Sequence, residues 1–189
     1  MIPFLKQFIV HPEWTGAIAE TGEDLSDLIT DLADLKKAKF IVELGPGGGV
    51  FTGKILQKKN PEAKFFALEI NPFFAEEARK KVPEAEIITD SAENLGKYLK
   101  ERGADKCDCI ISGLPWAGFP SSLQNSIMSE ILKHLESGGK FLTFAYVTGR
   151  YLPKGRKFKK LLDKSFNTVR KSKIVWKNIP PAFVYYCVK

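Results

Sequence analysis

The run Ile41-Val42-Glu43-Leu44-Gly45-Pro46-Gly47-Gly48-Gly49-Val50-Phe51-Thr52 constrains the fold of this chain more than any other stretch. Apolar residues lead into an acid, glycines follow at 45, 47 and 49, and a helical pattern begins at once. Such a run turns a strand sharply into a helix across a loop almost bare of side chains. A ligand can lie against that backbone, and the helix start presents unpaired N–H groups to a carboxylate or phosphate. Counting from Gly45 puts Val50 where the dinucleotide fingerprint G-x-G-x-x-G needs its third glycine, so that register fails. What remains is Glu43-x-Gly45-x-Gly47-x-Gly49. Glu43 is placed to hydrogen-bond the loop backbone or a ligand's amino group rather than to move protons.

Around this loop, strand and helix patterns alternate. Short continuous apolar runs at 39–44, 64–69, 86–89, 107–112 and 140–147 read as strands buried on both faces. Helical patterns fall between them at 51–58, 73–81, 92–100 and 121–136, the last closed by Gly138-Gly139. Alternating units of this kind predict a Rossmann-like, doubly wound parallel sheet with its site at the carboxyl ends of the strands. The runs 167–176 and 182–188 flank Asn178-Ile179-Pro180-Pro181 and read as a terminal antiparallel hairpin, giving seven strands in all. Two helical candidates precede the first strand, at 4–10 and 23–35. The second carries Leu25, Leu28, Ile29, Leu32 and Leu35 at core-facing spacing. The 189 residues form one α/β domain, large enough for a sheet covered on both faces.

The three cysteines, Cys107, Cys109 and Cys187, leave an odd thiol and no C-x-x-C pair, which fits reduced core packing in the cytoplasm. With His11 and His134 far apart, a zinc site is not expected. No apolar stretch approaches the roughly 18–20 residues of a spanning helix, so membrane contact is expected to be peripheral. Charge is uneven. Between residues 150 and 177 eleven basic residues face one acid, Asp163, so this segment carries +10 of a net +7 and the rest of the chain is about −3. Such a segment is either a solvated helix face or a docking surface for polyanions, lipid headgroups or nucleic acid.

Three strand ends carry candidate chemistry. Glu69, with Ile70 after it, ends the second strand, where an acid accepts hydrogen bonds from both ribose hydroxyls. Asp90, followed by Ser91 and Ala92, ends the third. It is placed either to accept from an adenine amino group, with the Ser91–Ala92 backbone reading the ring edge, or to cap the next helix. The fourth strand ends in Ser112-Gly113-Leu114-Pro115-Trp116, a turn whose backbone can orient an amine lone pair while an aromatic face tolerates a cation.

The Gly-rich loop resembles motif I of class I S-adenosylmethionine-dependent methyltransferases. Over nearly its whole length the chain also resembles bacterial and archaeal phospholipid N-methyltransferases, which methylate phosphatidylethanolamine toward phosphatidylcholine. Phe4-Leu5-Lys6-Gln7-Phe8 is similar to that family's amphipathic N-terminal helix, and Gly16-Ala17-Ile18 to its Gly-Ala-Val. Ser112-Gly113-Leu114-Pro115 matches its turn after strand four, and Phe144-Ala145-Tyr146 its Phe-Thr-Tyr on strand five. Val175-Trp176-Lys177-Asn178-Ile179-Pro180-Pro181-Ala182 is similar to its Val-Trp-Arg-Asn-Leu-Pro-Pro-Ala. Two departures stand out: Ala19-Glu20-Thr21-Gly22 replaces the family's Pro-Ser-Ser, and Trp116 replaces an aliphatic residue.

The resemblance implies S-adenosylmethionine as cofactor, held by Glu43, Gly45, Gly47, Gly49, Glu69, Ile70, Asp90, Ser91, Ala92 and Ser112. It implies methyl transfer to an amine nitrogen of a phospholipid headgroup. Ser112, Leu114, Trp116 and Tyr146 are then the catalytic candidates, with Tyr146 to orient or relay the amine proton. Arg150 and Lys154 are placed to pair the lipid phosphate. Residues 1–36 become N-terminal helices that cover the cofactor site or dock on the inner membrane face. The competing resemblance is to RNA adenine dimethyltransferases, through Gln7-Phe8 and Leu44-Gly45-Pro46-Gly47, and the basic tail would suit RNA. Against it, Gly113 stands where those enzymes carry Asn or Asp, and the accessory domain that this resemblance would imply after strand seven is not expected here. A small-molecule amine acceptor and a non-catalytic binding module complete the alternatives.

Overall fold

A computed structural model describes residues 22–189. The candidate helix at 4–10 and the Gly16-Ala17-Ile18 segment lie outside the described residues. Helix α1 (Glu23–Ala33) realises the leucine periodicity read at 23–35 and ends at Asp34, in the left-handed conformation. Then come β1 (Phe40–Leu44), α2 (Val50–Lys58), β2 (Lys64–Glu69), α3 (Pro72–Lys81), β3 (Ile87–Thr89) and, after a 3₁₀ turn, α4 (Leu95–Glu101). The second half runs β4 (Cys107–Ser112), α5 (Ser121–His134), β5 (Leu135–Tyr146), α6 (Pro153–Ser165), β6 (Thr168–Lys171) and β7 (Ala182–Val188). The strands form one seven-stranded sheet in the order β3-β2-β1-β4-β5-β7-β6. β1 to β5 are parallel, and β7 runs antiparallel to both β5 and β6. The doubly wound sheet with its terminal hairpin is the architecture expected from the alternating pattern.

Burial explains the apolar runs. All five residues of β1 are buried, because the sheet is covered on both sides. Phe40, Val42 and Leu44 join the core beneath α4, α5 and α6, whereas Ile41 joins the core beneath α1 and α2. The three cysteines are buried and unpaired in strands, and burial pushes the Cys109 thiol up to about 12, so it is inert packing.

Two local readings are corrected. Gly138-Gly139 does not close α5, which already ends at His134. The glycines sit in a break of the β4–β5 pairing, where Cys107 faces Leu135 but Cys109 faces Lys140. Gly138 takes φ +75, and a Cβ on Gly139 would fall 2.8 Å from the Glu136 carbonyl oxygen. Helix α6 lies where the sequence showed only a basic run. It has Pro153 in its first turn and buries only Phe158 and Leu162, one turn apart, leaving its basic residues outside.

Candidate active site

Backbone hydrogen bonds align the carboxyl ends of four strands. Gly113 N–H donates to the Leu44 carbonyl at 2.8 Å, Gly45 N–H to Leu68 at 2.8 Å, and Asp90 N–H to Glu69 at 3.1 Å. The Gly-rich loop is therefore clamped between the ends of β2 and β4. Gly45, Gly47 and Gly49 take φ of +72, +53 and +79, a region where L side chains are strained. Gly49 also caps α2, and a Cβ on Gly47 or Gly48 would meet nothing within 4 Å. The loop presents bare backbone to a cavity of about 530 Å³, bounded by Pro46, Phe51, Phe73, Gly113 and Phe144. That volume lies within the range of small-ligand sites.

Two buried acids stand at this loop. Glu69 receives the Gly47 N–H at 3.0 Å and the Asn71 N–H at 2.9 Å, so it ties the loop to the start of α3. Burial pushes its carboxyl up, against those hydrogen bonds. Glu43 is fully buried. Its Oε2 receives the Thr52 hydroxyl at 2.7 Å, and its Oε1 has no hydrogen-bond partner among the described residues. Desolvation, opposed by Thr52 and reinforced by the Glu69 charge, pushes the Glu43 carboxyl up to about 8. Bare backbone suits the carboxylate of a ligand, and the orphaned Glu43 oxygen lies buried behind that loop, outside the cavity lining. The residues present fit S-adenosylmethionine.

Other candidates are spent internally. Asp90 accepts from Ser91 N–H at 2.7 Å, Asn94 Nδ2 at 2.8 Å and Tyr98 hydroxyl at 2.7 Å. Desolvation raises its carboxyl, but these donors outweigh it and hold the group below the usual range. Ser91 caps the following 3₁₀ turn, while Ile70 and Ala92 pack on the core beside Leu95. Ser112 is fully buried. Its Oγ receives Trp116 Nε1 at 3.0 Å and Leu114 N–H at 3.3 Å, and Thr143 donates to its carbonyl at 2.9 Å. Its side chain therefore organises the turn and is not left open to a ligand. Trp116, expected to offer an open aromatic face, instead turns inward to 2% exposure and stacks on Phe158, centroids 5.1 Å apart. An indole with an internal partner for its N–H loses nothing by being buried.

A second cavity, of about 190 Å³, shares Gly113 and Phe144 with the first. Leu114, Trp116, Tyr146, Phe158 and Tyr185 form its walls, and among the described residues Arg150 is the one cation in its lining and none is acidic. Lys154 is exposed at the start of α6 and lines neither cavity. Sequence reading missed Phe158, Tyr185 and Gly155 here. Gly155 was the available signal, a glycine one turn inside a helix. A Cβ on it would fall 2.1 Å from the Gly149 carbonyl oxygen, so it lets α6 seat against the turn that carries Arg150.

The architecture is that of the class I S-adenosylmethionine-dependent methyltransferases. It matches the O-methyltransferase TomG from Streptomyces achromogenes, solved with SAM, at TM-score 0.70 and 19% identity, over all of this chain and 91% of that one. In sequence the chain is 26% identical to an ornithine lipid N-methyltransferase of Singulisphaera acidiphila, across 97% of this chain and 93% of the relative. A dimethyladenosine transferase of Chaetomium thermophilum is 32% identical over 92 residues, 49% of this chain and 23% of that protein. No protein-family model matches the chain.

Proposed function

We propose that this protein methylates the amine nitrogen of a membrane lipid headgroup, with S-adenosylmethionine as donor. One observation carries the proposal: a second cavity, whose described lining is largely apolar with Arg150 as its cation and no acid, shares Gly113 and Phe144 with the cavity at the Gly-rich loop. The bound cofactor supplies an electrophilic methyl group for direct displacement. In this reading the Gly45–Gly49 backbone holds its amino-acid end, with Glu43 behind that loop. Glu69 takes the ribose hydroxyls, and Asp90, saturated by Ser91, Asn94 and Tyr98, shapes the adenine end without contacting it. Phe144 and Gly113 separate the two cavities, so alignment across them supplies most of the rate gain, about 7–11 kcal/mol for well-held reactants.

The described lining of the acceptor cavity carries no carboxylate to stabilise an ammonium, so desolvation favours the amine as its neutral, nucleophilic form. Burial raises the Tyr146 phenol, which stays protonated and orients the amine as a hydrogen-bonding partner. Arg150 suits an anionic group tethered to the amine. Phosphoethanolamine offers a phosphate and an ornithine headgroup a carboxylate. The likeness to the ornithine lipid enzyme supports this acceptor class. The likeness to the dimethyladenosine transferase, confined to half the chain, keeps RNA as the rival acceptor. The decisive assay is methyl transfer from labelled cofactor to short-chain phosphatidylethanolamine, ornithine lipid, ribosomal RNA and small amines. Turnover of an aminolipid is expected, and turnover of RNA alone would overturn the reading.

A further inference from the structure

Among the described residues, the large hydrophobic side chains left exposed are Phe73 at 62%, Tyr151 at 57%, Leu152 at 59%, Trp176 at 70% and Ile179 at 80%. Strand register puts all five on one edge of the molecule. Phe73 begins α3 just past the carboxyl end of β2, and Tyr151 and Leu152 follow the carboxyl end of β5. Tyr146, the last residue of β5, pairs with Ala182, the first of β7. The β6–β7 connection that carries Trp176 and Ile179 therefore lies at that same edge, with Val147 N–H donating to the Pro181 carbonyl at 2.9 Å. Both cavities are built from residues of this edge. Arg150 and Lys154 flank Tyr151 and Leu152, whereas Lys177 beside Trp176 lies 3.7 Å from Asp24, with Asp27 and Asp31 lining the same groove as Trp176. Among the described residues no helix is long and apolar enough to cross a bilayer.

We propose that this edge, with the β5–α6 turn at Leu152 and the β6–β7 turn at Ile179 as its apolar contacts, seats the protein on an anionic lipid surface, so that the acceptor cavity opens toward the headgroups. The proposal rests on the aminolipid reading for its purpose. Exposed aromatic and aliphatic side chains beside cations match the interface of a bilayer, where rings sit at headgroup depth and short aliphatic chains reach the acyl boundary. Nucleic acid would stack on Trp176 or Tyr151 but gain nothing from Leu152 and Ile179. The nearby cations attract acidic headgroups, a term that salt screens over about 8–10 Å.

The test uses the full chain and vesicles of phosphatidylglycerol and phosphatidylcholine in equal parts, neither of which carries a primary amine. The protein is expected to sediment with these vesicles. Leu152→Ser with Ile179→Ser, both solvent-exposed positions, is expected to weaken sedimentation by about tenfold or more. Methylation of a monomeric short-chain aminolipid by the same variant stays unchanged, whereas methylation of vesicle-borne aminolipid falls. An unsubstituted protein that stays in the supernatant, or a double variant that sediments equally well, overturns the proposal. So does retention on ribosomal RNA in place of vesicles. If sedimentation behaves as expected while no aminolipid is methylated, the docking edge stands and the acceptor reading fails.

Discussion

Gly113 and Gly45 face each other so closely that a Cβ added to Gly113 would lie 2.4 Å from the Gly45 carbonyl oxygen. The contact is with backbone, and the loop carrying Gly45 is itself bonded to the ends of β2 and β4, so neither side can yield cheaply. The turn after β4 consequently has no room for a side-chain amide at position 113. Any polar recognition at that position has to come from main-chain groups. Leu114 closes the same junction from the other side, its Cδ2 2.7 Å from a Cβ on Gly45.

Gly113→Asn, and equally Gly113→Ala, should destabilise the protein by about 1–3 kcal/mol through overpacking and weaken cofactor binding. Denaturant unfolding and calorimetry measure both. A stable Asn variant that methylates adenine in RNA would show that the turn tolerates the rival chemistry.

Glu69→Ala should weaken S-adenosylmethionine binding by roughly 1–3 kcal/mol, since the Gly47 and Asn71 N–H groups lose their acceptor along with any ribose contact. Asp90→Ala should also lower thermal stability, because Tyr98 and Asn94 lose the carboxylate they share. Calorimetry on folded variants separates the two effects. Unchanged cofactor affinity in both would remove the nucleotide assignment from this edge.

Stability should fall as pH rises from near 5 toward 8. The Glu43 carboxyl is pushed up to about 8 by burial, so between its unfolded value and that point the native state holds a proton the unfolded chain has released. Unfolding free energy then declines with a slope on the order of 1.4 kcal/mol per pH unit. Glu43→Gln, which keeps the shape without the titration, should flatten this dependence. A variant whose stability tracks the unsubstituted protein across that window would show that Glu43 is ionised in the fold.

Arg150→Ala should raise KM for a short-chain aminolipid by about 10–100-fold, the worth of one charge-assisted contact, with kcat less affected. Lys154→Ala, outside the cavity lining, should change KM little. Equal effects at the two positions would point to diffuse charge attraction instead of a built anion contact.

What the sequence revealed followed from local rules. Strands covered on both faces must read as apolar runs, and a loop against a ligand must shed its side chains, so the sheet and the Gly-rich loop were both legible. Helix α6 was not, because only Phe158 and Leu162 anchor it and the charge run hides a stripe that narrow. Gly138-Gly139 read as a helix stop because the shifted register between β4 and β5 is a tertiary fact. The same holds for Trp116, whose inward turn depends on Phe158, 42 residues further on, and on the Ser112 hydroxyl beneath it. Which of the acids near the Gly-rich loop still has a carboxyl oxygen to offer is likewise decided by three-dimensional contacts. Asp90 is saturated by Ser91, Asn94 and Tyr98, whereas Glu43 is not.

The central claim is that the cavity beside Gly113 and Phe144 receives a lipid amine. It is tested most directly by one competition reaction containing aminolipid vesicles, ribosomal RNA and S-adenosylmethionine labelled in its methyl group, followed by solvent partition and mass spectrometry of the labelled product. The label should enter the organic phase and reside on the headgroup nitrogen, and Gly113→Ala should abolish it. Label found in the aqueous phase on RNA adenine, or on an oxygen of the lipid, would contradict the claim.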